Sequence, residues 1–241
     1  MSEAATVELS RLRSAAQAGQ REAQLLLAQA CMEGCGTDPD PFEAAHWFSV
    51  AANLGDPMAM NLLGRCHELG QGAPVDFALA AVWYRKAAEA GLDWGMYNLA
   101  HLLASGNGVA PDRAAAFHWY MRAAQHGHAG AMNFVGRFHE NGWTVTRDDG
   151  QARLWYQRAA RGGDPRGQAN YASTLADDGL VGEAVVWAQR ALAGAHPALA
   201  ERLRTGLRDS PHPQLRHLAL GASTEPGQVG PVLPAALDCI R

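Results

Sequence analysis

A tryptophan returns every 36 residues, at Trp47, Trp83, Trp119 and Trp155, and once more after 32 at Trp187. The pairs Ala51–Ala52, Ala87–Ala88, Ala123–Ala124 and Ala159–Ala160 keep the same step. So do two glycine series: Gly55, Gly91, Gly127, Gly163, and Gly34, Gly70, Gly106, Gly142. Such self-similarity restricts the chain to an array of one small unit, because a piece of this size cannot bury its apolar face without a neighbour. Ala15–Ala16 and Gly19 fit the frame one step earlier, so the array starts on half a unit.

Each unit reads as two helices. The first is expected over Pro57–Leu69, with Ala59, Leu62, Leu63 and Cys66 inward and Gly70 and Gly72 ending it. The second is expected from Asp76 to Glu89, with Asp76 as N-cap. Trp83, Ala80, Ala87 and Ala88 form its inward stripe, and Gly91 closes it.

The stretch "AMNLLGRCHELGQGAPVDFALAAVWYRKAAEAG" resembles a Sel-one-like repeat, a relative of the tetratricopeptide repeat built on A…LG…Y…G.G….D…A..WY..AA..G. The resemblance covers residues 4–208, in four good copies with degenerate ends. Where the pattern has an aromatic near the end of the first helix, this chain has Cys31, His67, Leu103 and His139. The loop "GWTVTRDDG" lacks the second glycine, and the fifth unit is short of about four residues around Asp178–Gly179. The resemblance implies an all-α fold, a right-handed α/α superhelix of helix-turn-helix repeats with about twelve helices over residues 1–208. It also implies that first-helix positions line a concave face and contact peptide ligands. Residues 209–241, interrupted by Pro and Gly, form a tail expected to cap the last helix pair or to fold back over that groove.

Some letters of the first helix return only every 72 residues. "NLLGRCHELG" begins at Asn61 and "NFVGRFHENG" at Asn133, while "YNLAHLLASG" stands between them. Asn61, Arg65 and Glu68 fall at i, i+4 and i+7, on one face opposite Leu62, Leu63 and Cys66. Asn133, Arg137 and Glu140 repeat this, and Trp94, Tyr97 and His101 hold the equivalent face between them. The expectation is a binding face in which arginines hold carboxylates or carbonyls, aromatics stack and asparagines bond a peptide backbone. Two plainer readings compete with it. One is duplication of a two-unit block; the other is that Arg65–Glu68 and Arg137–Glu140 are ordinary i,i+3 surface pairs.

Little in the chain supports catalysis, a cofactor or a metal. A single lysine, Lys86, lies in the repeat frame, so there is no SxxK nucleophile, and there is no GKS/T loop, GxSxG elbow or HExxH helix. His126 and His128 bracket Gly127, and His128 stands where Asp56 and Asp164 do, which predicts a helix N-cap rather than a metal ligand. Cys31, Cys35, Cys66 and Cys239 form no CxxC pair and read as reduced thiols. A net charge of −4 gives no basic field for nucleic acid. No apolar run reaches membrane-spanning length, and the N-terminus lacks an apolar leader segment. The resulting expectation is a cytoplasmic bacterial adaptor, monomeric and non-catalytic, that binds a protein or peptide. The alternatives are an immunity-type inhibitor gripping one folded partner, and a hydrolase or small-ligand binder using the same groove.

Overall fold

The computed structural model describes residues 3–220, with side chains from Val7 onward. It contains thirteen helices and no strand among those residues. After α1 (Glu3–Gln17) the helices pair off as α2 (Arg21–Glu33) with α3 (Pro41–Asn53), and α4 (Pro57–Leu69) with α5 (Phe77–Glu89). Next come α6 (Asp93–Ser105) and α7 (Arg113–Gln125), then α8 (Ala129–Asn141) and α9 (Asp149–Arg161). The series ends with α10 (Pro165–Asp177), α11 (Val181–Gly194), α12 (Pro197–Arg208) and the short α13 (Pro213–Leu220). The helices form two compact units: the first runs through α6 into the first turn of α7, and the second from Phe117 onward.

The caps follow the sequence closely. Asp40, Asp56, Asp76, Asp148 and Asp164 each accept a backbone N–H of the helix they precede. His128 does the same through Nδ1, 3.1 Å from the Ala131 N–H, so it is a capping residue as expected. Among the described residues no group of His, Cys, Asp and Glu could hold a metal ion.

The second helices need one correction. Trp83, Trp119, Trp155 and Trp187 are only half-buried. Each carries a cation three residues on over its ring: Lys86 at 4.1 Å, Arg122 and Arg158 at 4.6 Å, and Arg190 at 4.7 Å. The buried stripe belongs to the next residue: Tyr84, Tyr120 and Tyr156 are fully enclosed, and Phe48 holds that place in α3. The reason is steric. A first-helix glycine admits the tyrosine ring edge-on, and a Cβ on Gly64 would lie 2.7 Å from Tyr84 and one on Gly136 2.6 Å from Tyr156.

In the loop "GWTVTRDDG" the backbone keeps the family shape without its glycine. Thr144 adopts φ 61, where the other repeats have Gly36, Gly72 and Gly108 at φ 77, 70 and 69. A β-branched residue in that region is strained by about 1–2 kcal/mol. Thr144→Gly is therefore expected to raise the unfolding free energy by about 0.5–1 kcal/mol, once the greater unfolded-state freedom of glycine is subtracted. A lowered thermal midpoint would contradict that account.

The N-terminal half-unit is tied down by a bidentate pair. Arg13 in α1 donates to both carboxylate oxygens of Glu43 in α3 at 2.8 and 2.7 Å, and Trp47 Nε1 donates to the same group. At the other end α13 lies within the expected tail, and its Leu215 is buried in the cluster around Tyr171 and Leu175. Leu218 packs beside it, whereas Leu220 is exposed. The remaining tail residues singled out above, Val232, Leu233 and Ile240, and Cys239, lie outside the described residues.

Candidate functional site

The 72-residue rhythm of the polar letters has a structural origin within each unit. In the first, Asn61 of α4 is buried and its Oδ1 accepts from Asn98 Nδ2 of α6 at 2.8 Å. Glu68 of α4 accepts from the Tyr84 phenol of α5 at 2.5 Å. In the second unit Asn133 of α8 accepts from Asn170 of α10 at 2.7 Å, and Glu140 accepts from Tyr156 at 2.7 Å. Asn61, Gly64, Glu68, Tyr84 and Asn98 thus return as Asn133, Gly136, Glu140, Tyr156 and Asn170. One such cluster spans two successive first helices, so it can recur only at every second unit.

This corrects the expected role of the asparagines. Asn61 and Asn133 do not face a ligand; each is drawn inward because a neighbouring first helix supplies an amide donor at that level. Burying an amide without a partner would cost about 1–3 kcal/mol, and here the partner is built in. The glutamates are likewise committed to tyrosine. Neither Arg65–Glu68 nor Arg137–Glu140 forms an ion pair among the described residues, which removes the surface-pair reading.

The other expected residues do reach the surface. On α4, Arg65 is exposed. On α6, Trp94 meets Tyr97 edge-on at 6.3 Å, and Tyr97 stacks on His101 at 6.3 Å with 17° between the rings. Trp94 is 38% exposed, which is uncommon for so large an apolar ring.

In the second unit the guanidinium of Arg137 stands 5.5 Å from the Phe134 ring centroid and 5.4 Å from that of Trp143. Phe134 is backed by a parallel stack on Tyr120 at 4.6 Å, and Trp143 rests edge-on against Phe138 at 5.5 Å. Two aromatic faces thus fix the plane of the guanidinium while leaving its N–H edge for an acceptor. The acid three residues on, Glu140, is occupied by Tyr156. Phe134 and Trp143 were not expected as site residues. Their signal was present: the corresponding positions one block earlier, Leu62 and Gln71, are not aromatic.

Burial shapes the titration of the core. It pushes the Cys66 thiol up to about 11, and it does the same to Cys31, where the Glu43 carboxylate adds to the effect. Burial and then the bonds to Glu68 and Glu140 push the phenols of Tyr84 and Tyr156 above the ordinary tyrosine range. All four groups hold their protons more tightly when folded. Their contribution is therefore complete below the ordinary thiol value of 9.0 and is lost as pH rises towards about 11. The urea midpoint is expected to be level from neutral pH to about 9 and to fall above it. A midpoint flat through that alkaline range would refute the assignment.

The Sel1 repeat model matches residues 21–56, 57–92, 95–128 and 129–164. No curated protein matches the chain. Among solved structures, a Sel1 repeat protein from Oxalobacter formigenes is 26% identical with a TM-score of 0.71, over 88% of this chain and 98% of that one. A protective antigen of uropathogenic Escherichia coli displaying an SLR fold is 23% identical with a TM-score of 0.69 over 87% of this chain. The match spans 49%, about half, of that antigen's length. The immunity protein Pa5087 from Pseudomonas aeruginosa is 15% identical with a TM-score of 0.55, over 82% of this chain and 74% of that one.

Proposed function

The chain belongs to the Sel1 repeat family, whose members generally mediate protein–protein interaction, and from that premise we propose that it is a non-catalytic adaptor that binds a protein segment. The binding face consists of the outward residues of the first helices. In the first unit these are Arg65 with Trp94, Tyr97 and His101, and in the second Arg137 with Phe134 and Trp143. The observation that carries the reading is the state of Arg137. Its guanidinium is oriented by two rings, and its nearest acid on the same helix is committed to Tyr156. A side chain held ready in this way loses little freedom when an acceptor arrives. Asn61, Asn133, Glu68 and Glu140 support the face from beneath and touch no partner. The non-catalytic assignment agrees with the family, which is generally without activity. No described helix is long and apolar enough to cross a membrane.

Arg65→Ala combined with Arg137→Ala is expected to abolish partner capture from a bacterial lysate while leaving helicity and the thermal midpoint unchanged. Both arginines lie outside the buried core, so a structural role would show in the midpoint and a recognition role only in capture. Retained capture by the double variant would sink the proposal. Recovery of one folded partner in a protease-stable complex would favour an immunity-type inhibitor over a peptide adaptor.

A further inference from the structure

The second unit contains a cleft of about 310 Å³ between α10, α11, α12 and the turn into α13. Its α10 wall is Ala169, Ser173 and Ala176, which stand 36 residues after Asn133, Arg137 and Glu140. The cleft is therefore the next step of the same face, with small side chains where α8 has large polar ones. Ala188 and Ala191 of α11 form the floor, and Leu203 and Leu207 the far wall. Gly206 of α12 widens the cleft, and a Cβ added there would meet nothing within 4 Å. No packing neighbour calls for that glycine, and it weakens the helix that carries it. The space suits a side chain rather than a whole ligand, since pockets for small molecules begin near this volume.

Building on the adaptor reading above, we infer that this face takes an extended peptide with a carboxylate at Arg137 and, three residues away, an aliphatic side chain in the alanine-lined cleft. The spacing follows from geometry. Packed helix axes lie about 8–10 Å apart, and α8 and α10 are held in register by the Asn133–Asn170 bond. In a polyproline-type strand, residues i and i+3 point the same way and lie about 9 Å apart. The charges place the acid as well. Arg137 has no carboxylate partner among the described ion pairs, whereas Asp177 and Asp209 stand on the cleft rim beside Arg202 and would repel an acid there.

The test uses the full chain and fluorescein-labelled proline-rich octapeptides bearing one Asp and one Leu three residues apart, in both orders, read by fluorescence anisotropy. One order is expected to bind, and Asp→Asn, Leu→Ser or a spacing of one residue should each weaken it about tenfold or more. Arg137→Gln is expected to cause a loss of similar size. Gly206→Leu fills the cleft and should also abolish binding, while its thermal midpoint stays level or rises because a helix former replaces glycine. Binding indifferent to Gly206→Leu or to the Asp–Leu spacing overturns the inference. If neither peptide binds while partner capture still requires Arg137, the inference falls and the adaptor reading stands. If capture is indifferent to Arg137, both fall.

Discussion

Gly72→Ala is expected to lower the unfolding free energy by more than about 3 kcal/mol, whereas Gly91→Ala should cost only about 1–2 kcal/mol. Both glycines have positive φ, 70° and 92°, so both variants meet the strain of a side chain in the left-handed region. They differ in what surrounds the new methyl. At Gly91 nothing lies within 4 Å, and the strain is the whole cost. At Gly72 the Cβ would fall 1.8 Å from the Pro41 carbonyl oxygen and 2.9 Å from the Phe42 nitrogen. These are backbone atoms at the start of α3, so no rotamer change relieves the overlap. The loop after α4 must lift away from α3, and the contact joining two successive repeats loosens with it. Urea unfolding of the two variants beside the parent chain measures the difference. Equal losses would mean that the loop can move without cost and that close approach does not fix the repeat spacing.

The periodicity made most of the fold legible. Pro57–Leu69 matches α4 residue for residue, and Asp76 caps α5 as its position before an apolar run implies. These features are local, and local rules decide them. The choice between Trp83 and Tyr84 as the buried ring was not local. The two are adjacent in a helix that packs over a wide arc, and the selecting residue, Gly64, lies on another helix. Tryptophan offers more apolar area, yet only the flatter tyrosine edge fits against the bare glycine backbone, and its hydroxyl finds Glu68 there.

The candidate site was legible in the same uneven way. Helical spacing grouped Trp94, Tyr97 and His101 on one face, and they do meet. The same spacing grouped Asn61 with Arg65 and Glu68, but an i, i+4, i+7 stripe says nothing of how high a neighbouring helix reaches. Asn61 falls below that level and Arg65 above it. The partner amides were visible as a second 72-residue pair, Asn98 and Asn170, offset by one from the repeat frame. Matching each position only with its counterpart in the next repeat hid a bond that joins unlike positions 37 residues apart.

The joint between glycine, tyrosine and glutamate predicts a reversal of sign. Tyr156→Ala alone is expected to cost about 3–5 kcal/mol, because it empties a fully buried site whose opposite wall is glycine and cannot fill the space. Gly136→Ala alone should also destabilise, since its Cβ would stand 2.6 Å from the Tyr156 ring and 3.2 Å from the Ala152 carbonyl oxygen. In the Tyr156→Ala background the ring is absent. The same Gly136→Ala change then adds a methyl to the cavity and removes a mid-helix glycine, which is worth about 1 kcal/mol, so it should stabilise. A double-mutant cycle by urea unfolding reads the coupling directly. Simple additivity would show that the ring and the glycine are not matched. Tyr156→Phe separates packing from the hydroxyl. Its volume is nearly conserved, so the stability loss should stay near 1–2 kcal/mol, but Glu140 loses its donor. That carboxylate, three residues from Arg137 on α8, can then turn to the guanidinium. Partner capture should weaken although neither the arginine nor its aromatic neighbours have changed. If capture by Tyr156→Phe equals that of the parent chain, Tyr156 does not keep Arg137 available.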